Sequence, residues 1–79
     1  MNRTDLFNKF VALLNKMNNW YRNSDLDITD IEFNGLENWL KSIIYVLEKE
    51  PVDFDARKLN AFEQTYNNAE KEIYSKLTR

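Results

Sequence analysis

An all-α fold, a small three-helix bundle with antiparallel up-down-up helices, is what the sequence predicts. Three observations carry the prediction. Apolar side chains recur at alternating spacings of three and four in three separate segments, the period that keeps them on one face of a helix. A single glycine and a single proline leave long stretches free of helix breakers. Apolar residues fill 43% of the 79 positions and aromatics 14%, enough to give one domain spanning residues 1–79 a packed core.

The first helix is expected over residues 5–22. Leu6, Phe10, Leu13, Met17 and Trp20 form its seam. Thr4 is the expected N-cap, with Asp5 in the first turn, where negative charge meets the positive end of the helix dipole. Arg22 suits the opposite end, and Asn23 and Ser24 follow as terminators.

The second helix is expected over residues 29–49. Phe33, Leu36, Leu40, Ile43 and Leu47 form its seam. Its start falls at Asp27 or at Thr29–Asp30. Pro51 ends it, because the residue before a proline avoids helical backbone angles. The third helix is expected over residues 55–77, with Leu59, Phe62, Tyr66, Ala69 and Ile73 on its seam. Asp53 or Asp55 serves as its N-cap, and Lys76 and Arg79 suit its C-terminal end. Short connections make neighbouring helices antiparallel.

Seam width separates the three. On the first helix the apolar face widens to Phe7, Leu14 and Tyr21. On the second it widens to Ile44 on one side and to Trp39 and Val46 on the other. The third keeps a narrow seam, with Asn67, Asn68, Lys71, Glu72 and Ser75 outside. Gly35 and Ser42 share the Trp39 side, where small residues admit a close backbone. The first or third helix is the expected neighbour there; a groove for a partner helix, anchored by Trp39, is the rival reading. Tyr45 falls among polar residues and is expected to be exposed. Phe54 either folds back over the core or stands out as an anchor.

The net charge is only −2, but it is unevenly spread. Residues 1–24 hold four basic and one acidic residue, residues 25–55 two basic and nine acidic, and residues 56–79 five basic and three acidic. Capping and dipole complementarity account for acids at helix starts. A patch that steers a basic partner is the sharper reading.

The acidic stretch 25–36 fails as a calcium loop. Asp30 occupies the position that needs glycine, and Leu36 the position that needs a bidentate glutamate. A strand over the same residues is not expected, because the L-D-I alternation has no second strand to pair with. The carboxylates of Glu48 and Glu50, or of Asp53 and Asp55, are close in sequence, but nothing marks a cleft between them. Cysteine and histidine are both absent, which removes thiol chemistry and the commonest general base and metal ligand. No cofactor or metal is expected, and no enzyme.

Basic surface is too sparse for direct nucleic-acid binding, with a pI near 5.0. The apolar runs 10–14 and 43–47 are far shorter than the ~20 residues of a membrane span. No signal-peptide layout precedes the first run, so a cytoplasmic protein is expected. Eleven asparagines, with many Lys, Ile and Tyr, fit an AT-rich bacterial or phage genome.

These features point to a non-enzymatic protein-binding module. It would be a small regulator or inhibitor, of the phage anti-defence or toxin-immunity type, docking on a larger protein with a basic surface. The residues expected to carry the contact are Asp25, Asp27, Asp30, Glu32, Glu37, Trp39, Tyr45, Glu48, Glu50, Asp53, Phe54 and Asp55. The alternative is a structural or chaperone-like subunit that works as an obligate helical homo-oligomer, beginning with a homodimer.

Overall fold

The computed structural model describes residues 2–51 and 53–78. Three helices follow in order: α1 (Arg3–Arg22), α2 (Asp30–Lys49) and α3 (Ala56–Tyr74). They form a three-helix bundle measuring 39 × 20 × 17 Å. Tyr21, at the end of α1, stacks on Phe33, at the start of α2, with ring centres 3.8 Å apart. The two helices are therefore antiparallel. Phe10 meets Tyr66 edge-on at 5.3 Å, and Trp20 meets Tyr74 in the same way at 5.3 Å, so α1 and α3 run parallel. This is the predicted up-down-up order.

The seams predicted from spacing build the core. Leu6, Phe10, Leu13 and Met17 of α1, Phe33, Leu40 and Leu47 of α2, and Ala69 and Ile73 of α3 are buried, together with Leu26 of the first connection. Leu36, Ile43, Ile44, Leu59, Phe62 and Tyr66 pack around them, half-buried. α1 is the central helix: four of its five seam residues are at most 1% exposed, and it packs on both α2 and α3. No Cα of α2 comes within 8 Å of a Cα of α3 among the described residues.

Helix ends show where local chemistry acts. α1 starts two residues earlier than expected. Asn2, not Thr4, is its N-cap, and the Asn2 side chain accepts a hydrogen bond from the Asp5 N–H at 2.8 Å. Asparagine outranks threonine at this position. The C-terminus of α1 closes with a pair of backbone bonds, Ser24 N–H to Tyr21 O at 3.1 Å and Asp25 N–H to Trp20 O at 2.7 Å. This pattern needs a left-handed residue, and Ser24 adopts it with φ of 62°.

α2 begins at the second of the two predicted starts. Thr29 and Glu32 form a reciprocal capping box: the Thr29 hydroxyl accepts from the Glu32 N–H, and the Glu32 carboxylate accepts from the Thr29 N–H, each at 3.1 Å. Asp55 caps α3 through the Lys58 N–H at 2.9 Å. α3 ends at Tyr74 rather than residue 77, so Lys76 lies beyond its C-terminus. Arg79 lies outside the described residues.

Two tertiary ties replace what the sequence left open. At one end, the Arg3 guanidinium donates to the carbonyls of Leu47, Val46 and Glu50. A side chain of α1 thus reaches the carbonyls at the end of α2, where helical donors run out; of the three, Val46 O also accepts from the Glu50 N–H at 3.1 Å. At the other end, residues 25–27 pair with residues 76–78 as an isolated antiparallel bridge centred on Leu26 and Leu77. The Asp27 N–H donates to Lys76 O at 2.7 Å, and the Thr78 N–H to Asp25 O at 2.8 Å. As expected, no strand forms among the described residues; the L-D-I stretch makes this single bridge instead. Its partner is residues 76–78 of the segment after α3, too short to read as a strand.

Candidate functional site

The structure divides the predicted acidic and aromatic surface into three parts. Asp25, Asp27, Asp30 and Glu32 gather at the end of the bundle where α2 begins. Glu48, Glu50, Asp53, Phe54 and Asp55 lie at the opposite end, about 30 Å away along a helix of this length. Glu37, Trp39 and Tyr45 lie on α2 between them.

At the first end, the backbone of Asp25 and Asp27 is held by the bridge to the tail, while both side chains are exposed. Glu32 is also exposed. Its pKa is lowered, first by the hydrogen bond from the Thr29 backbone, then by that from the Thr29 hydroxyl, with Lys76 adding a smaller pull. The Lys76 ammonium is 3.7 Å from its carboxylate. Capping thus accounts for Glu32. Among the described residues, the side chains of Asp25, Asp27 and Asp30 make no hydrogen bond or ion pair.

The second end is mostly committed to the fold. The Asp55 carboxylate is a helix cap. The Glu50 carbonyl accepts from Arg3 at 2.6 Å. Phe54 takes the first of its two predicted positions: it folds back edge-on against Phe62 at 5.5 Å and lies beneath the Arg3 guanidinium at 4.3 Å. Glu48 pairs with its neighbour Lys49 at 3.8 Å, and Asp53 is exposed.

The outward side of α2 carries what the fold does not use. Tyr45 is 63% exposed, as its polar neighbours predict, and Trp39 is 40% exposed. Glu37 is half-buried and pairs with Lys41 at 3.8 Å. The expectation that α1 or α3 covers the Gly35 side is not met. A Cβ built on Gly35 meets nothing within 4 Å, because α1 takes the opposite face of α2 and α3 keeps its distance. The backbone at Gly35 has no positive φ either. A helix-interior glycine costs roughly 0.5–1 kcal/mol relative to alanine, and no contact within the described chain offsets it.

Ile31 was not among the expected contact residues. It is 84% exposed, in the first turn of α2 between Asp30 and Glu32. The signal was present in the sequence: Phe33, Leu40 and Leu47 define the buried face, and Ile31 falls across the helix from it. Among the described residues, three of the four large exposed hydrophobic side chains, Ile31, Trp39 and Tyr45, lie on α2.

The two lysines of α1 face another way. Lys9 lies 5.2 Å from the Tyr66 ring centre, and the Lys16 ammonium is 3.3 Å from the Tyr74 hydroxyl. Both lysines therefore lie over α3, and the acidic side of the molecule is left to α2 and its entry segment. Burial and the nearby Glu70 carboxylate push the Tyr66 phenol up to about 12.

Among the described residues no three acidic side chains converge on a point that could hold a metal ion. No described helix is long and apolar enough to cross a membrane. One open depression of about 520 Å³ is lined by Asp27, Ser75, Lys76, Leu77 and Thr78. It lies over the bridge and brings a single carboxylate, not a pair. The chain matches no protein-family model, no curated protein and no solved structure.

Proposed function

We propose that this chain is a non-enzymatic protein-binding module, a regulator or inhibitor that docks on a larger cytoplasmic protein. Its contact surface is the acidic segment Asp25–Glu32 and the adjoining outward side of α2. Ile31 carries the reading. An isoleucine left 84% exposed among Asp27, Asp30 and Glu32 contributes nothing to the core. It supplies an apolar anchor inside an acidic rim. The carboxylates of Asp25, Asp27 and Asp30, without hydrogen-bond or ion-pair partners among the described residues, favour a basic partner surface and speed the encounter. Burial of Ile31 and Tyr45 then contributes affinity at the centre of the contact. Occupying a basic groove in this way is how an immunity or anti-defence protein would block a nuclease; that extension rests on size and charge.

Photo-crosslinking tests the proposal. The chain, carrying p-benzoylphenylalanine in place of Tyr45, is irradiated in the cells that naturally produce it. The expected result is a discrete adduct whose mass is not a multiple of the 9.5 kDa chain. Its yield should fall about tenfold in Ile31→Ser, the equivalent of roughly 1.4 kcal/mol of affinity. It should also fall when Asp25, Asp27 and Asp30 become lysine. Adducts between copies alone would reject this reading in favour of a homo-oligomeric subunit. A yield indifferent to these substitutions would reject the surface.

A further inference from the structure

Beside the Ile31–Tyr45 face, α2 carries a second stripe: Glu32, Gly35, Trp39, Ser42, Val46 and Lys49, at spacings of three, four, three, four and three. The geometry points to this stripe as a self-complementary interface, on which α2 of a second copy packs antiparallel.

The spacing reads the same in both directions, so an antiparallel copy falls into register with every layer matched. Glu32 then faces Lys49 of the second copy, Gly35 faces Val46, and Trp39 faces Ser42. The two-fold axis repeats each pairing once. Opposite charges meet at both ends, and a large side chain meets a small one at each inner layer. A two-fold interface requires this self-complementarity, because the same surface must serve as both partners.

The structure leaves the stripe open. A Cβ at Gly35 would meet nothing within 4 Å. Trp39 is 40% exposed. Val46 is half-buried and outside the set that packs on the core. Ser42 returns its hydroxyl to the Asn38 carbonyl at 2.9 Å, so it presents a small side chain with its donor already satisfied. Glu32 and Lys49 each have an intramolecular ion pair but keep 49% and 60% of their side chains exposed.

Opposite Val46, the glycine has a purpose that the single chain does not give it. It makes room for the facing side chain and lets the two helices approach. The drift of a stripe with this period gives the pair the left-handed crossing of a coiled coil. The stripe borders the docking surface proposed above and shares Glu32, Gly35 and Trp39 with it; Ile31 and Tyr45 of both copies remain at the rim, so pairing leaves those two anchors available.

Light scattering after gel filtration, on the whole chain from about 1 µM to about 1 mM, reads the assembly. The expected mass is twice the 9.5 kDa of one chain in the upper part of that range. Gly35→Leu should halve it, while the melting temperature measured at the dilute end stays equal or rises. That substitution fills open space in the monomer and improves helix propensity.

Register is read by oxidising two single-cysteine variants of this cysteine-free chain. Gly35→Cys mixed with Val46→Cys should give a disulfide-linked pair, and neither variant alone should do so. In the antiparallel register the two copies of position 35 lie about 16 Å apart. A single-chain mass throughout, a Gly35→Leu variant that still pairs, or crosslinks within either variant alone would each overturn the proposal. None of these results bears on the crosslink from Tyr45 to a larger partner.

Discussion

The Arg3 guanidinium carbon lies 4.3 Å from the centre of the Phe54 ring, and the same guanidinium donates to Leu47, Val46 and Glu50. One side chain thus joins the start of α1, the last turn of α2 and the connection into α3. Arg3→Ala should lower unfolding free energy by about 1.5–3 kcal/mol, the range for hydrogen bonds to a charged group. Arg3→Lys should recover less than half, because an ammonium has neither the planar fork nor the stacking face. Urea unfolding of the three proteins checks this; equal stability of Arg3→Lys and the parent would show that charge alone suffices.

The core and the candidate surface should respond oppositely to truncation. Leu40 is 0% exposed on the central layer of α2, and Leu40→Ala should cost about 2–5 kcal/mol. Ile31, on the same helix, is 84% exposed, and Ile31→Ala should change stability by no more than about 0.5 kcal/mol. Thermal melts of both variants in dilute solution distinguish a residue kept for folding from one kept for something else.

Ser24 holds the left-handed position after α1 at φ of 62°. Glycine takes this conformation without the Cβ clash. Ser24→Gly should therefore raise stability by about 0.5–1 kcal/mol, the relief of backbone strain exceeding the added entropy of the unfolded chain. A melting temperature below that of the parent would mean that the serine side chain contributes something the hydrogen bonds do not reveal.

Glu32 gives the stability a specific acid dependence. Its folded pKa is lowered below 4.5 by the bonds from Thr29, so the unfolded chain takes up the proton first as pH falls. The contribution is fully present above the unfolded value and is lost as pH falls through the lower folded value. Glu32→Gln, which preserves the capping geometry, should show a shallower loss of stability below about pH 4.5 than the parent. Thr29→Ala should cost about 0.5–2 kcal/mol at neutral pH by removing the cap itself. Identical acid limbs for Glu32→Gln and the parent would contradict the capping box.

Tyr66 gives an alkaline dependence of the opposite form. Its folded pKa is raised to about 12 by burial and by Glu70. The unfolded chain loses this proton first, near the ordinary value of about 10. Stability tied to the protonated phenol is complete below that value and declines as pH climbs from about 10 towards 12. Tyr66→Phe should flatten this decline in denaturant melts. Its difference spectrum from the parent should show the missing phenolate absorbance appearing only near pH 12.

The sequence by itself determined the helices and their buried faces. All fifteen seam residues read from the three- and four-residue spacing are in the core or, like Leu36, Trp20 and Phe62, packed against it. That much is legible because helical periodicity and capping are local: the face of a helix follows from its own residues, and a Thr-x-x-Glu box or an aspartate cap acts within four positions. Only the tertiary structure decided which faces are shared. Arg3 reaches across 44 positions to Leu47, and Leu26 pairs with Leu77 through a tail too short to carry a strand pattern. The same holds for the open side of α2. Gly35 and Trp39 read equally well as a contact with α1 or α3, because spacing specifies a surface without naming its neighbour. Once α1 takes the centre and α2 and α3 pack on it separately, that side is left uncovered in the single chain. Helix-to-helix assignment depends on the distances between packed helices, and those arise only when all three settle on one core.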